Sequence, residues 1–120
     1  HRETGKAEYL AKAKSLADIL IAHPHMPADK IPNWDYGAAV SETTPRDASA
    51  GAVMASALIE LSQALPDGKK YLDYARAQLL TLSSPAFLAE PYADYYFMEA
   101  LLRYKALVTK TKRSHFGEAR

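Results

Sequence analysis

Apolar residues recur along this chain three and four positions apart in four segments, and the segments alternate in how much of their surface is apolar. In the first, about Lys6 to Ala22, Tyr9, Ala13, Leu16 and Leu20 fall on one side and Lys12, Lys14 and Asp18 elsewhere, the stripe of a helix with one wet face. Pro24 ends it. The second is predicted from Asp47, a good N-cap, to Leu65, where Pro66 stops it. Its polar residues Ser49, Ser56, Glu60 and Gln63 fall on a single narrow line at about 100° per residue, with apolar or small residues around most of the rest. Such a helix is mostly buried. The third, about Gly68 to Leu82, is amphipathic again: Tyr71, Leu72, Ala75, Leu79 and Leu82 turn inward, and Lys69, Lys70, Asp73 and Arg76 are free to meet water. The fourth, about Asp94 to Thr109, "DYYFMEALLRYKALVT", is apolar nearly all round and starts on a second capping aspartate, Asp94. Ala and Leu abound while Val, Ile and Thr are sparse, so the chain reads as all-α.

The order wet, dry, wet, dry constrains the architecture. A helix buried on most sides needs neighbours on most sides, and each amphipathic helix covers only one. The chain therefore predicts helical hairpins, about 6–65 and 68–109 with a short C-terminal tail, in which dry helices form an inner circle and wet ones an outer circle. "TGKAEYLAKA" and "PDGKKYLDYARA" share Tyr-Leu-x-x-Ala, with Tyr9 and Tyr71 62 positions apart, as expected for a repeated hairpin. Two hairpins would be part of a larger toroid. A compact four-helix bundle with alanine-rich inner helices is the alternative that periodicity leaves open.

Composition narrows the partners. With 120 residues, 48% hydrophobic and 24% charged, the balance is that of one globular segment. A net charge of +1 offers no basic surface for nucleic acid or an anionic membrane, and no apolar run reaches spanning length. There is no cysteine, hence no disulfide or thiolate metal site, and both a cytoplasmic and a periplasmic location stay open. The chain begins at His1 rather than methionine, as a fragment would.

In either architecture the second and fourth helices run parallel, so the loops leading into them meet at one end. Those loops hold most of the chemistry: Trp34, Asp35, Tyr36, Arg46 and Asp47 before the second helix, and Tyr92, Asp94, Tyr95 and Tyr96 around the start of the fourth. Aromatic faces stack on sugar rings, an arginine clamps a carboxylate, and helix N-termini favour an anion, so a uronic acid would suit this set. The plainer readings stand beside it. Asp47 and Asp94 read first as N-caps, Arg46 pairs with Asp35 or Asp47 to pin the loop, and Trp34 plugs a gap beneath it. His23 and His25 in "HPHMP" lack a third ligand at helical spacing and read as surface histidines. "TKTKRSHFGEAR" reads as a solvated tail, and no Gly-rich phosphate loop, Gly-x-Ser-x-Gly elbow or His-Glu-x-x-His pair is present.

"IPNWDYG" followed by "TPRDASAGAVMASALIELS", then "SSPAFLAEP" and "ADYYFMEALLRY", resembles the C-terminal part of the unsaturated glucuronyl hydrolases, glycoside hydrolase family 88, from Gly5 to about Val108. The resemblance implies an (α/α)6 toroid, of which this chain would be the C-terminal third. It implies as substrate an oligosaccharide ending in a 4,5-unsaturated uronic acid. It also implies a reaction in which a general acid protonates the vinyl ether double bond, water adds at C5, and the hemiketal rearranges to release the sugar, without metal or nucleotide cofactor. The family's catalytic aspartates lie in earlier hairpins, so none of Asp35, Asp47 and Asp94 takes that role and this segment alone is expected to be inactive. Trp34, Arg46, Tyr95 and Tyr96 would line the substrate pocket, and the rest of the toroid would be the structural partner. A longer loop usually separates "SPAFLAEP" from "DYYF" in that family; here only Tyr92 and Ala93 stand between Pro91 and Asp94. A non-catalytic hairpin module that binds a protein or carbohydrate is the second reading, motivated by the Tyr-Leu-x-x-Ala repeat.

Overall fold

The computed structural model describes residues 3–88 and 94–117, and all the regular elements among them are helices. They are α1 (Ala7–Ile21), α2 (Ala48–Ala64), α3 (Lys69–Leu82), the single turn α4 (Pro85–Leu88) and α5 (Asp94–Gly117). Both ends of α1, α2 and α3 fall within a residue of the pattern-based ones, and α5 starts at the expected Asp94. The end of the chain departs from it: the backbone stays helical past Thr109 to Gly117, because the Lys- and Thr-rich sequence after Thr109 holds no glycine or proline to stop a helix before Gly117. The single turn α4, capped by the Ser84 carbonyl accepting from Phe87 and Leu88 amides, has no hydrophobic period and was not legible as a helix.

Burial follows the predicted alternation for the first pair. α2 buries Ala48, Gly51, Ala52, Met54, Ala55, Ser56, Leu58, Ile59 and Leu61, whereas α1 buries Ala17 alone. The main core joins Met54, Ala55, Leu58, Ile59 and Leu61 of α2 to Tyr71, Ala75 and Leu79 of α3 and Ala100 of α5. A second, smaller core joins Ala48 and Ala52 at the start of α2 to Leu82 at the end of α3 and to Ile31 in the α1–α2 connection, with Phe97 of α5 against it. These contacts fix the directions. Phe97 packs against the Ile31–Ala48–Ala52–Leu82 cluster, Arg103 reaches Glu60, and Leu107 lines a groove with Gln63 and Ala64, so α5 runs parallel to α2. α3 runs antiparallel to α2 after a tight turn in which the Gly68 amide donates to the Leu65 carbonyl at 3.1 Å.

α1 is the least covered element. Tyr9, Leu16 and Ile19 are exposed, and an open apolar groove of about 420 Å³ runs between α1 and α2, lined by Ala13, Leu16, Leu20, Val53 and Ala57 among others. Of the predicted stripe, Ala13, Leu16 and Leu20 thus face this groove and Tyr9 a smaller one beside Leu10, Ala57 and Leu61, instead of a filled core, because no described element lies over them. Polar contacts carry much of α1's docking: Asp18 accepts from Lys14 at 2.9 Å, Lys70 at 2.8 Å and the Tyr71 hydroxyl at 2.8 Å. Those three cationic and hydroxyl donors hold the Asp18 carboxyl well below the usual carboxylate range. On the other flank of α2, α5 leaves Tyr95, Met98 and Leu102 exposed in one stripe.

The radius of gyration, 15.7 Å, exceeds the roughly 14 Å expected of a compact domain of this length, and the extents are 55 × 35 × 23 Å. The molecule is a slab, with α2 between α1 and α5 and α3 packed along α2.

Candidate functional site

The connection from α1 to α2 is long for a helix pair, yet it is tied down along its length. At its centre the backbone of Asn33 pairs antiparallel with Arg46. The Trp34 amide donates to the Pro45 carbonyl at 3.1 Å and the Asp47 amide to the Pro32 carbonyl at 2.8 Å. Ile31, Pro32 and Asn33 are buried under this pairing. Gly51 of α2 allows the close approach, since a Cβ there would lie 3.2 Å from Ile31 Cδ1. α3 holds the loop from below: Gln78 Nε2 donates to the Lys30 carbonyl at 2.9 Å and Thr81 Oγ1 to the Asp29 carbonyl at 3.0 Å. Lys30 sits between them at φ 65°, a left-handed conformation unfavourable for a side-chain-bearing residue and kept in place by these bonds.

Arg46 closes the loop on itself. Its Nε donates to Asp29 Oδ2 at 3.1 Å, and its Nη1 donates to Asn33 Oδ1 at 2.7 Å and to the Thr44 carbonyl at 3.2 Å. The sequence-based pairing of Arg46 with Asp35 or Asp47 is therefore corrected: both aspartates are occupied locally. Asp47 Oδ1 accepts from the Ala50 amide at 2.8 Å, the N-cap bond of α2, and Asp35 Oδ1 accepts from the Gly37 amide at 2.7 Å in a turn. Asp29 and Asn33, which the sequence did not single out, are the partners instead. Asp29 also accepts from the Ile31 amide at 3.0 Å, and Asn33 Nδ2 donates to the Ala38 carbonyl at 3.3 Å.

Trp34 stands on this frame, 66% exposed, so it is not a plug beneath the loop. Beside it Tyr36 is half-buried, edge-on to His23 with ring centres 5.2 Å apart, and its carbonyl lies 3.0 Å from His25 Nδ1. The two histidines thus brace the turn from the α1 side. Burial, then the nearby Asp47 charge, raises the Tyr36 hydroxyl pKa. Below, Tyr74 is pushed up to about 12 by burial and then by Tyr36 and Asp29. Its hydroxyl and Gln78 Oε1 are buried without a hydrogen-bond partner among the described residues.

The second aromatic group begins α5. Tyr95 and Tyr96 are 74% and 41% exposed and meet edge to face, with ring centres 5.2 Å apart. Phe97, next in sequence, packs into the Ile31–Ala48–Ala52 cluster, which sets the pair at the same end of the molecule as the Trp34 loop. Among the described residues no ring stacking or hydrogen bond joins Trp34 to either tyrosine; the two groups share an end of the molecule. Tyr92 and the junction between Pro91 and Asp94 lie outside the described residues, as does any cap made by the Asp94 side chain. Further along α2 and α5, Arg103 bridges Glu60 and Glu99, each at 2.7 Å, beside an open groove of about 520 Å³ bordered by Gln63 and Lys110. Of the polar line on α2, Glu60 is thus paired to α5 and Ser56 is buried, while Gln63 is exposed.

No protein-family model matches the chain. Two curated proteins are similar to it. An unsaturated glucuronyl hydrolase of Formosa agariphila is 35% identical over 136 aligned positions, covering 92% of this chain and 34% of that protein. One of a Bacillus species is 26% identical over 137 positions, covering 90% of this chain and 36% of that protein. Both alignments are longer than the 120 residues of this chain, so the relatives carry additional residues inside the matched region. Among solved structures, an unsaturated glucuronyl hydrolase specific for heparin superposes with a TM-score of 0.82 at 36% identity, over 90% of this chain and 36% of that one. The helices described above therefore have the arrangement of one part of an α/α toroid. The chain spans about a third of the length of the proteins it matches, and over nearly all its own length it is a homologue of the unsaturated glucuronyl hydrolases.

Proposed function

We propose that this chain is the C-terminal third of an (α/α)6 toroid and forms one wall of the pocket of an unsaturated glucuronyl hydrolase. The observation that carries the reading is the shared end of α2 and α5, where an exposed tryptophan on a braced loop stands alongside an exposed tyrosine pair. Trp34, Tyr95 and Tyr96 supply faces for a sugar ring, Arg46 behind Trp34 completes that side, and the N-terminus of α2 favours the uronate carboxylate. The substrate is an oligosaccharide whose non-reducing end is a 4,5-unsaturated uronic acid.

The chemistry assigns different work to different parts of the ring. A proton is delivered to C4 of the vinyl ether, water adds to C5, and the resulting hemiketal opens and releases the remaining sugar. The acid that delivers that proton must stay protonated near neutral pH, which needs burial or a neighbouring carboxylate. Asp47 and Asp35 are each committed to a backbone amide, and Asp29 to Arg46, so each already has a structural task in the loop. The acid is assigned to the hairpins outside this chain, as the resemblance to the glucuronyl hydrolases implies. Two exposed apolar edges, the α1–α2 groove and the Tyr95–Met98–Leu102 stripe, support a ring that continues on both sides.

The test is to incubate the full-length protein with disaccharides made by a polysaccharide lyase and follow the ultraviolet absorbance of the conjugated double bond. Absorbance falls in step with release of the second sugar if the proposal holds. Absorbance unchanged across glucuronate- and iduronate-derived products, sulfated and unsulfated, sinks it.

A further inference from the structure

Arg46 has the residue type expected of a carboxylate clamp, but three of its five N–H donors are taken up inside the loop. Nε is bonded to Asp29 and Nη1 to both Asn33 and the Thr44 carbonyl, which leaves the fork locked from two sides. The residues it ties bracket Trp34: Asn33 precedes it, Thr44 lies just before Pro45, whose carbonyl receives the Trp34 amide, and Asp29 is fixed to α3 through Thr81. The planar fork is what spans Asp29 and Asn33 at once, a geometry that a lysine ammonium does not reproduce. Trp34 itself makes no ring contact among the described residues, so its orientation rests on this backbone frame.

We propose that Arg46 is a positioning residue for Trp34: it acts on the sugar through the tryptophan rather than by contact with the uronate. This rests on the pocket-wall reading above and sharpens it, moving Arg46 from the substrate to the frame and adding Asp29 to that frame. Asp29 holds both Arg46 Nε and the Ile31 amide, and so links the fork to the α3 anchor.

A double-mutant cycle in the full-length protein, with an unsaturated disaccharide as probe, separates the two roles. The variants are Trp34→Ala, Arg46→Ala, Asp29→Asn and the combinations of each with Trp34→Ala. Asp29→Asn keeps an oxygen for the Ile31 amide and loses the acceptor for Arg46, so it is the milder disruption should Arg46→Ala fail to fold. Positioning predicts that Trp34→Ala raises KM about tenfold, that Arg46→Ala and Asp29→Asn raise it comparably with kcat within about twofold, and that neither adds to Trp34→Ala. A direct clamp predicts instead that Arg46→Ala multiplies the loss in the Trp34→Ala background while Asp29→Asn is near neutral; that result overturns the proposal and leaves the pocket wall standing. Unchanged KM in Trp34→Ala overturns both.

Discussion

Asp18 is where one side chain carries the most structure. It accepts from Lys14 on its own helix and from Lys70 and Tyr71 on α3, and so ties the least buried helix to the core. Because its pKa is depressed in the folded state, the stabilisation is present above the ordinary carboxylate value, near pH 4, and is lost as pH falls from there towards the lower folded value. Asp18→Asn is therefore expected to lower the melting temperature of the full-length protein at pH 7, with the difference from wild type kept down to about pH 4 and shrinking progressively below it. A difference that persists undiminished in acid would mean that shape, not charge, is what Asp18 contributes. Side chains with local partners were legible in the sequence. Asp47 sits immediately before a long apolar run, and the cap bond to Ala50 follows from that position. The pairing of Arg46 with Asp35 or Asp47 was misjudged: its partners are Asp29 and Asn33, and what brings them together is the path of the loop over α3, which no local pattern encodes.

At the scale of elements, the alternation of amphipathic and apolar helices was legible because it is the 3.6-residue period itself. What the period cannot report is which neighbours are present. Tyr9 and Tyr71 occupy the same place in the Tyr-Leu-x-x-Ala repeat, yet Tyr71 is 0% exposed with its hydroxyl on Asp18, and Tyr9 is 48% exposed. α3 has α1 on that side; α1 has nothing there among the described residues. α5, apolar almost all round by pattern, fully buries Ala100 but leaves Tyr95, Met98 and Leu102 in the open for the same reason. The α2–α3 turn gives the sharpest prediction. A Cβ at Gly68 would lie 1.9 Å from the Ser62 carbonyl oxygen, a backbone atom that cannot swing aside. Gly68→Ala must spread the turn and is expected to cost about 2–3 kcal/mol in denaturant titration of the full-length protein. A loss near zero would mean that the turn is looser than this geometry.

At the scale of the molecule, the slab shape, the two apolar edges and the one-third coverage of its homologues describe an arc of a ring. The toroid was legible because dry helices demand neighbours. The pocket was legible only as an end of the molecule: composition and position marked Trp34, Tyr95 and Tyr96, and the fold brings them to one end without joining them. The relatives carry extra residues within the matched region, and the Pro91–Asp94 junction, where the resemblance implies a longer loop, lies outside the described residues. An arc has a consequence that a self-sufficient bundle lacks, since the α1–α2 groove and the α5 stripe stay wet unless something covers them. Sedimentation of the isolated 120-residue chain across a range of concentrations tests this directly. The arc predicts concentration-dependent self-association, with dye binding at exposed apolar surface and a broad thermal transition. A soluble monomer at every concentration that melts in one sharp cooperative step would contradict it.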